Sequence, residues 1–310
     1  MVLNSALRSL LVVILNFNGI EDTLACLDSL QKQTFRDFET LVIDNGSRMD
    51  DLTRIKDAFP ETQLIALSEN LGWAGGNNVG IRFAQDQGFR YVCLLNNDTI
   101  VDPTAIAELL DAAESIGGPS LLHPTIAYFD DPSKWQLNPE RDASDNETLS
   151  DLVKLDFAYG ACLMFPISVP RTIGLLDERF FLQLEETDYY ERARKLSIPS
   201  ICVKRARILH KVSASFGSEI TDSKTYYQVR NRLLFTQKHT PTLKGFLHAT
   251  RGLMWTLHIQ ARQSGADLNS WLDFTRWITS AHPLARAARQ GGLDYVRRRF
   301  GPRRKSSGGV

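Results

Sequence analysis

The sequence predicts an α/β fold with a mostly parallel central sheet, helices on both of its faces and a helical appendix at the C-terminal end. Two observations carry this prediction. Strand-like and helix-like patterns alternate from the first apolar run onward, as they do in chains built from βα units. The strand-like runs are short, continuous and rich in β-branched residues, as strands buried on both faces are. Size and composition agree with it. The chain has 310 residues, 43% hydrophobic and 23% charged, enough for a sizeable core. These values exclude collagen-like, disordered and disulfide-framework chains.

Residues 10–15 form the first apolar run and read as a buried strand. At 23–33, Leu24, Leu27 and Leu30 fall on one helix face. A strand follows at 38–43, a helix at 51–59, a strand at 63–67, a helix at 77–87 and a buried strand at 91–95. Asp102-Pro103 has the chemistry of a helix start, with Asp as N-cap and Pro at the first helical position. From about 123 to 156 the chain is rich in Asp, Ser, Asn and Pro and reads as a long loop on the acceptor side. Strand character resumes at 157–165, a helix occupies 186–196, and a strand occupies 200–209. After about residue 239 the pattern is helical and basic. The expected division is therefore 1–238 for the α/β domain and 239–310 for a basic amphipathic region.

No apolar run approaches the ~18–20 residues of a membrane span, and the first is too short for a secretory signal. Cys26, Cys93, Cys162 and Cys202 show no Cys-x-x-Cys spacing. They read as packed thiols of a cytoplasmic protein. Equal numbers of basic and acidic side chains, 36 each, hide an asymmetry. Residues 241–310 hold 12 Lys and Arg against 3 Asp and Glu, and the other 240 residues hold 24 against 33.

In open α/β sheets ligands bind beyond the carboxyl ends of the strands. Four polar segments fall there: Asn16-Phe17-Asn18-Gly19, Asp44-Asn45-Gly46-Ser47, Asn70 through Asn78 with Gly75, Gly76 and Asn77, and Asn96-Asn97-Asp98-Thr99. Each alone could be a turn; four at one edge point to a binding site. Further on come Gly160-Ala161-Cys162-Leu163-Met164-Phe165, then Phe180-Phe181-Leu182 leading to Glu185-Glu186-Thr187-Asp188, and Arg230-Asn231-Arg232. In order and spacing these pieces resemble family-2 inverting glycosyltransferases of GT-A fold. The bacterial rhamnosyltransferase-like branch is the most similar. The resemblance runs from Val12 to about Phe235, some three quarters of the chain.

The resemblance implies a UDP- or dTDP-linked sugar donor, a divalent cation and a carboxylate base. Mg²⁺ or Mn²⁺ takes hard oxygen ligands, few of them from protein, and Asp98 is the matching residue. Family members often carry Asp-x-Asp where this chain has Asn96-Asn97-Asp98, so one carboxylate is missing. His210 matches the late histidine that GT-A enzymes bring to the metal. Asp44 matches the aspartate that reads the pyrimidine base. Asn16, Asn18, Asn45, Gly75, Gly76, Asn77 and Asn97 complete the expected nucleotide-binding set. Asn77 and Asn78 are expected to open a helix whose amides suit an anion, and Asn77 stands where many relatives carry Arg. Trp73, Tyr159 and Phe181 could stack on a base or sugar. An inverting transfer needs one carboxylate to take the acceptor proton. The family pattern puts that role on Glu186, a Glu in place of Asp, with Glu185 and Asp188 as rivals.

No G-x-G-x-x-G follows the first strand, no P-loop occurs, and no Gly-rich basic loop of a nucleotidyltransferase is present. The alternative is a degenerate GT-A fold that binds nucleotide or a partner without turnover. The basic C-terminal region mixes Phe246, Leu253, Trp255, Leu257, Ile259, Trp271, Phe274 and Trp277 with Lys244, Arg251 and Arg262, and ends in Arg303-Arg304-Lys305. It predicts peripheral contact with the inner leaflet of the plasma membrane, where a lipid-linked or growing glycan acceptor is met. The other cover for its apolar faces is the catalytic domain or a second copy in a homodimer. Nucleic acid is not an expected partner, since the body is acidic.

Overall fold

The computed structural model describes residues 8–48, 51–144, 151–211, 220–240 and 242–304. The elements run β1 (Arg8–Asn16), α1 (Ile20–Gln31), β2 (Phe38–Asp44), α2 (Asp51–Ala58), β3 (Gln63–Ala66), α3 (Gly72–Asp86) and β4 (Phe89–Asn96). They continue with β5 (Thr99–Val101), α4 (Ala105–Ile116), β6 (Leu121–Tyr128), β7 (Trp135–Leu137), α5 (Pro139–Asp142) and β8 (Leu152–Leu155). Then follow β9 (Cys162–Pro166), α6 (Ser168–Ile173), α7 (Glu185–Lys195), β10 (Ser200–His210) and α8 (Asp222–His239). The last three are α9 (Leu243–Gln263), α10 (Trp271–Thr279) and α11 (Pro283–Val296).

The strands among the described residues form one mixed sheet in the order β3-β2-β1-β4-β9-β6-β10-β5, with β7 on β6 and β8 on β10. β1 pairs parallel with β2 and β4, and β6 with β10, while β9 is antiparallel to β4 and β6. The period-2 alternation of a strand explains the layering. In β1, Leu10, Val12 and Ile14 enter one apolar cluster and Leu11 and Val13 the other. The first cluster takes in Leu27 and Leu30 of α1, Ile55 of α2 and Leu109 of α4. The second takes in Ile81 of α3, Val169 of α6 and Tyr189 of α7. Helices therefore cover both faces, as the continuous apolar runs require. Each such side chain, fully buried, contributes ~1.5–3 kcal/mol of transfer free energy. All four cysteines are buried in this sheet and its helices, and the Sγ atoms of Cys93 and Cys162 lie 3.7 Å apart as thiols.

Several expectations change. The stretch from 123 to 156 is mostly not loop: β6 lies deep in the sheet, and β7, α5 and β8 follow. Residues 145–150 lie outside the described set. Pro124 lies in β6, and proline in an inner strand removes a ladder donor. β10 accommodates it with a register shift between Val203 and Arg207, beside the Val203 to Pro124 pair. The helix expected at 77–87 begins at Gly72, so Asn77 and Asn78 lie inside α3 rather than at its start.

The chain divides into two compact units, Met1–Asp177 with Glu186–Ser213, and Glu178–Glu185 with Ala214–Val310. Helix α8, expected with the α/β part, groups with the C-terminal helices. In the second unit Val229, Leu257, Phe274, Trp277 and Ala285 share one apolar cluster. Gly291 lets α11 approach α8, since a Cβ there would stand 2.5 Å from the Tyr226 carbonyl oxygen. Lys305, part of the expected basic terminus, lies outside the described residues. Among the described residues no helix is long and apolar enough to cross a membrane.

Candidate active site

Strand register gathers the polar segments. Asn16 pairs with Asp44 across β1 and β2, and Leu15 pairs with Asn96 across β1 and β4, so all three strands end at one edge. There Asn16, fully buried, donates to Asp44 Oδ1 at 2.9 Å and to Asp51 Oδ2 at 3.1 Å, and accepts from Thr23 Oγ1 at 2.9 Å. Asp44 also accepts from the Ser47 hydroxyl and, at 3.1 Å, from the Ser47 amide. Asn18 is exposed, in the left-handed region at φ 54°, and its Oδ1 accepts from the Arg48 amide.

Several of the expected nucleotide contacts hold the edge together. Asn45 donates to Asn70 Oδ1 and the Gly72 carbonyl, both at 3.1 Å, and accepts from the Leu71 amide at 2.9 Å. It thereby fixes the turn that opens α3. Asn77 donates to the Trp73 carbonyl within α3. Asn97 donates to the Gly19 carbonyl at 3.1 Å and to Thr23 Oγ1 at 3.0 Å. Gly76 serves close packing, since a Cβ there would stand 2.3 Å from Leu15, and a Cβ at Gly75 would stand 2.7 Å from Leu71.

Asp98 is buried, and its Oδ1 faces His210 Nε2 at 3.2 Å, because Thr99 and His210 are partners in the β5–β10 ladder. His210 Nδ1 meets Gln136 Oε1 at 2.7 Å, while Gln136 Nε2 donates to the His210 carbonyl at 3.1 Å. The second bond fixes the amide orientation, so Gln136 Oε1 is the acceptor and Nδ1 carries the proton. In the neutral imidazole Nε2 then presents a lone pair to a carboxylate oxygen. Two acceptors facing each other call for a proton or a cation between them. One carboxylate and one oriented imidazole suit a divalent cation whose other positions are filled by phosphate and water. Among the described residues no group of three His, Cys, Asp or Glu could hold a metal.

The turn at Tyr159-Gly160-Ala161 joins this pair to Glu186. The Tyr159 hydroxyl donates to Gln136 Oε1 at 3.0 Å, and the Ala161 carbonyl accepts from the Asn96 amide at 2.9 Å. A Cβ on Gly160 would lie 3.6 Å from the Trp73 ring and 3.8–3.9 Å from the Glu186 side chain. Trp73 Nε1 in turn donates to Asn96 Oδ1 at 3.0 Å. Glu186 keeps part of its surface accessible, yet burial raises its carboxyl above the ordinary glutamate range, against hydrogen bonds from its own amide and Thr187. Burial, helped by Tyr128 and Glu186, pushes the Tyr159 phenol up to about 12.

The other acids are placed differently. Glu185 opens α7 and is buried. Asp188 is fully buried, paired with Arg192 at 2.9 Å, and Arg192 also reaches the Ile173 carbonyl at 2.6 Å. Thr23, Asp51 and Gln136 join the site without having been singled out from sequence; Gln136 lay within the stretch read as loop. Phe181 stacks on Tyr227 at 5.5 Å, inside the second unit.

Residues 11–173 match the family profile described as "Glycosyl transferase family 2". The chain is 28% identical over 238 residues to the low-salt glycan biosynthesis hexosyltransferase Agl10 of Haloferax volcanii, covering 74% of this chain and 75% of that one. It is 26% identical over 261 residues to the N-acetylglucosaminyl-diphospho-decaprenol L-rhamnosyltransferase of Mycobacterium tuberculosis, covering 74% and 83%. Among solved structures, a crystal structure of GalNAc-T7 with UDP, GalNAc and Mn2+ superposes with a TM-score of 0.56 at 14% identity. That match covers 75% of this chain and 55% of the other, and it concerns the fold.

Proposed function

Because the chain belongs to glycosyl transferase family 2, we propose that it moves a hexose or deoxyhexose, L-rhamnose first among them, from a UDP- or dTDP-linked donor to a hydroxyl group. The acceptor is a glycan or lipid-linked glycan of the cell surface, a reading supported by the names of the two relatives. Such an acceptor is met at the inner face of the plasma membrane. The observation that carries the reading is the meeting at Gly160. There Glu186 and Trp73 both border Gly160, and Trp73 is hydrogen-bonded to Asn96 at the strand end that leads into Asp98.

In this reading Glu186 takes the proton of the acceptor hydroxyl as its oxygen attacks C1 of the sugar. The bond from C1 to the diphosphate breaks on the opposite face, and the anomeric configuration inverts. A carboxylate with a raised proton affinity suits that role. Asp188, fully buried and paired with Arg192, is a poor alternative. Asp98 and His210 would hold Mg²⁺ or Mn²⁺, with Gln136 and Tyr159 orienting the imidazole. When bound, the cation supplies charge stabilisation for the departing diphosphate. In this reading Asp44 and Asn18, at the carboxyl edge of the sheet, contact the nucleoside.

The test is a panel of sugar nucleotides with product detection by mass and release of nucleoside diphosphate. Glu186→Gln is expected to bind donor as the parent does and to lose ~10²–10⁴ in turnover. Retention of the donor's anomeric configuration in the product would overturn the mechanism. Nucleotide binding without release from any donor would leave a binding protein instead of an enzyme.

A further inference from the structure

Helix α9 buries one face and leaves another uncovered. Leu253, Leu257 and Ala261 lie in the second unit's core. On the outer side Leu243, Leu247, Arg251, Trp255 and Ile259 recur every fourth residue and so form one row along the helix. Leu243 is 75% exposed, Leu247 58%, Trp255 57% and Ile259 41%. The row continues onto α10. The Trp255 ring stacks on His258 at 5.9 Å, and His258 lies 5.7 Å from the Trp271 ring. Trp271 and its neighbour Leu272 are 54% and 69% exposed.

Charge says what covers this face. Helix α9 carries Lys244, Arg251 and Arg262, all exposed, and no Asp or Glu in its 21 residues. None of the three cations is in an ion pair among the described residues. A second copy seated on the same row would set these cations against their own equivalents, with no carboxylate on α9 to answer them. A bilayer surface of anionic lipid answers both features. Tryptophan rings settle at headgroup level, leucine and isoleucine enter the acyl boundary, and Lys and Arg extend to the phosphates.

We propose that the outer row of α9, with Trp271 and Leu272, is a docking face for anionic membrane lipid. The proposal rests on the reading that the acceptor is lipid-linked, and its test is separable from that reading. The full chain is mixed with vesicles of phosphatidylglycerol and phosphatidylcholine, or of phosphatidylcholine alone, and floated on a density gradient. Flotation with the anionic vesicles only, weakened by salt, is expected. Lys244→Glu with Arg251→Glu removes two attractions of ~1 kcal/mol each, so partitioning should fall about 30-fold or more. Leu247→Ser with Trp255→Ser should also release the protein. Both variants alter exposed side chains, so their melting temperatures and their release of nucleoside diphosphate should match the parent. No flotation by the parent, or equal flotation by parent and variants, overturns the proposal. A parent dimer that becomes monomeric in the Leu247→Ser, Trp255→Ser variant also overturns it, assigning the face to a second copy. Flotation without nucleoside diphosphate release from any donor would instead count against the enzyme reading alone.

Discussion

Glu186 joins two properties that rarely coincide on a surface: it retains solvent access, and burial still lifts its proton affinity. As the proposed base, Glu186 must be ionised to act, so on that proposal activity should fall as pH drops through a value above the ordinary glutamate range. The acid limb of a kcat/KM profile measures this, and a limb at the ordinary glutamate value would assign the proton to another group. Asn231 works at the same scale with different means. Its amide donates to the carbonyls of Phe180, Leu182 and Gln183 at 2.7–2.9 Å. Arg230, fully buried, reaches Phe180 as well, at 2.7 Å. The segment they hold is strained, with φ of 65° at Phe181, 73° at Gln183 and 71° at Leu184, and it runs directly into Glu185-Glu186. Asn231→Ala removes the donor to the part-buried carbonyls of Leu182 and Gln183 and should destabilise the second unit by about 1 kcal/mol, read as a lower urea midpoint. An unchanged midpoint would show that Arg230 alone suffices.

At the scale of the element, α3 rests on β1 through absent side chains. A Cβ on Gly80 would stand 2.4 Å from Val13 Cγ1, against backbone-anchored methyl groups with little room to yield. Gly80→Ala should therefore lower the melting temperature, the ~1–3 kcal/mol of overpacking exceeding the ~1 kcal/mol gained in helix propensity. Gly252→Ala, in α9 with nothing within 4 Å of the added carbon, should raise it. A rise for both would mean that α3 can shift outward. The same glycines explain why the start of α3 was illegible in the sequence. Gly72-Trp73-Ala74-Gly75-Gly76 is a poor helix former, and the contact with Leu15 that favours Gly76 is long-range. The strands β1, β2 and β4 were legible because each contains a continuous apolar run, and Asp44 and Asp98 were legible because such runs end close to them. β6 was hidden by Pro124, whose compensation lies some eighty residues away in β10. Gln136 was hidden for a related reason, since its partners Tyr159 and His210 come from other strands and loops.

Across the whole molecule the two units differ in charge and in chemistry. The basic residues beyond 241 belong to the second, helical unit. Every cysteine of the chain belongs to the first. Those thiols are all buried, which denies access; burial also pushes Cys26 and Cys202 up to about 12, and the neighbouring Cys93 thiol together with burial raises Cys162, so ionisation is disfavoured at these three. A maleimide added to the native protein should therefore label no faster than the sheet opens, while the helical unit stays silent. The chain thus carries a clock for one of its halves. Mass-resolved labelling across a denaturant series should give the opening free energy of the α/β unit by itself. Prompt labelling at Cys93 or Cys162 in native buffer would mean that the seam between β4 and β9 breathes ahead of the rest. Nucleotide bound at the carboxyl edge of the same sheet should slow the clock, making four inert sulfur atoms a ligand assay that needs no turnover.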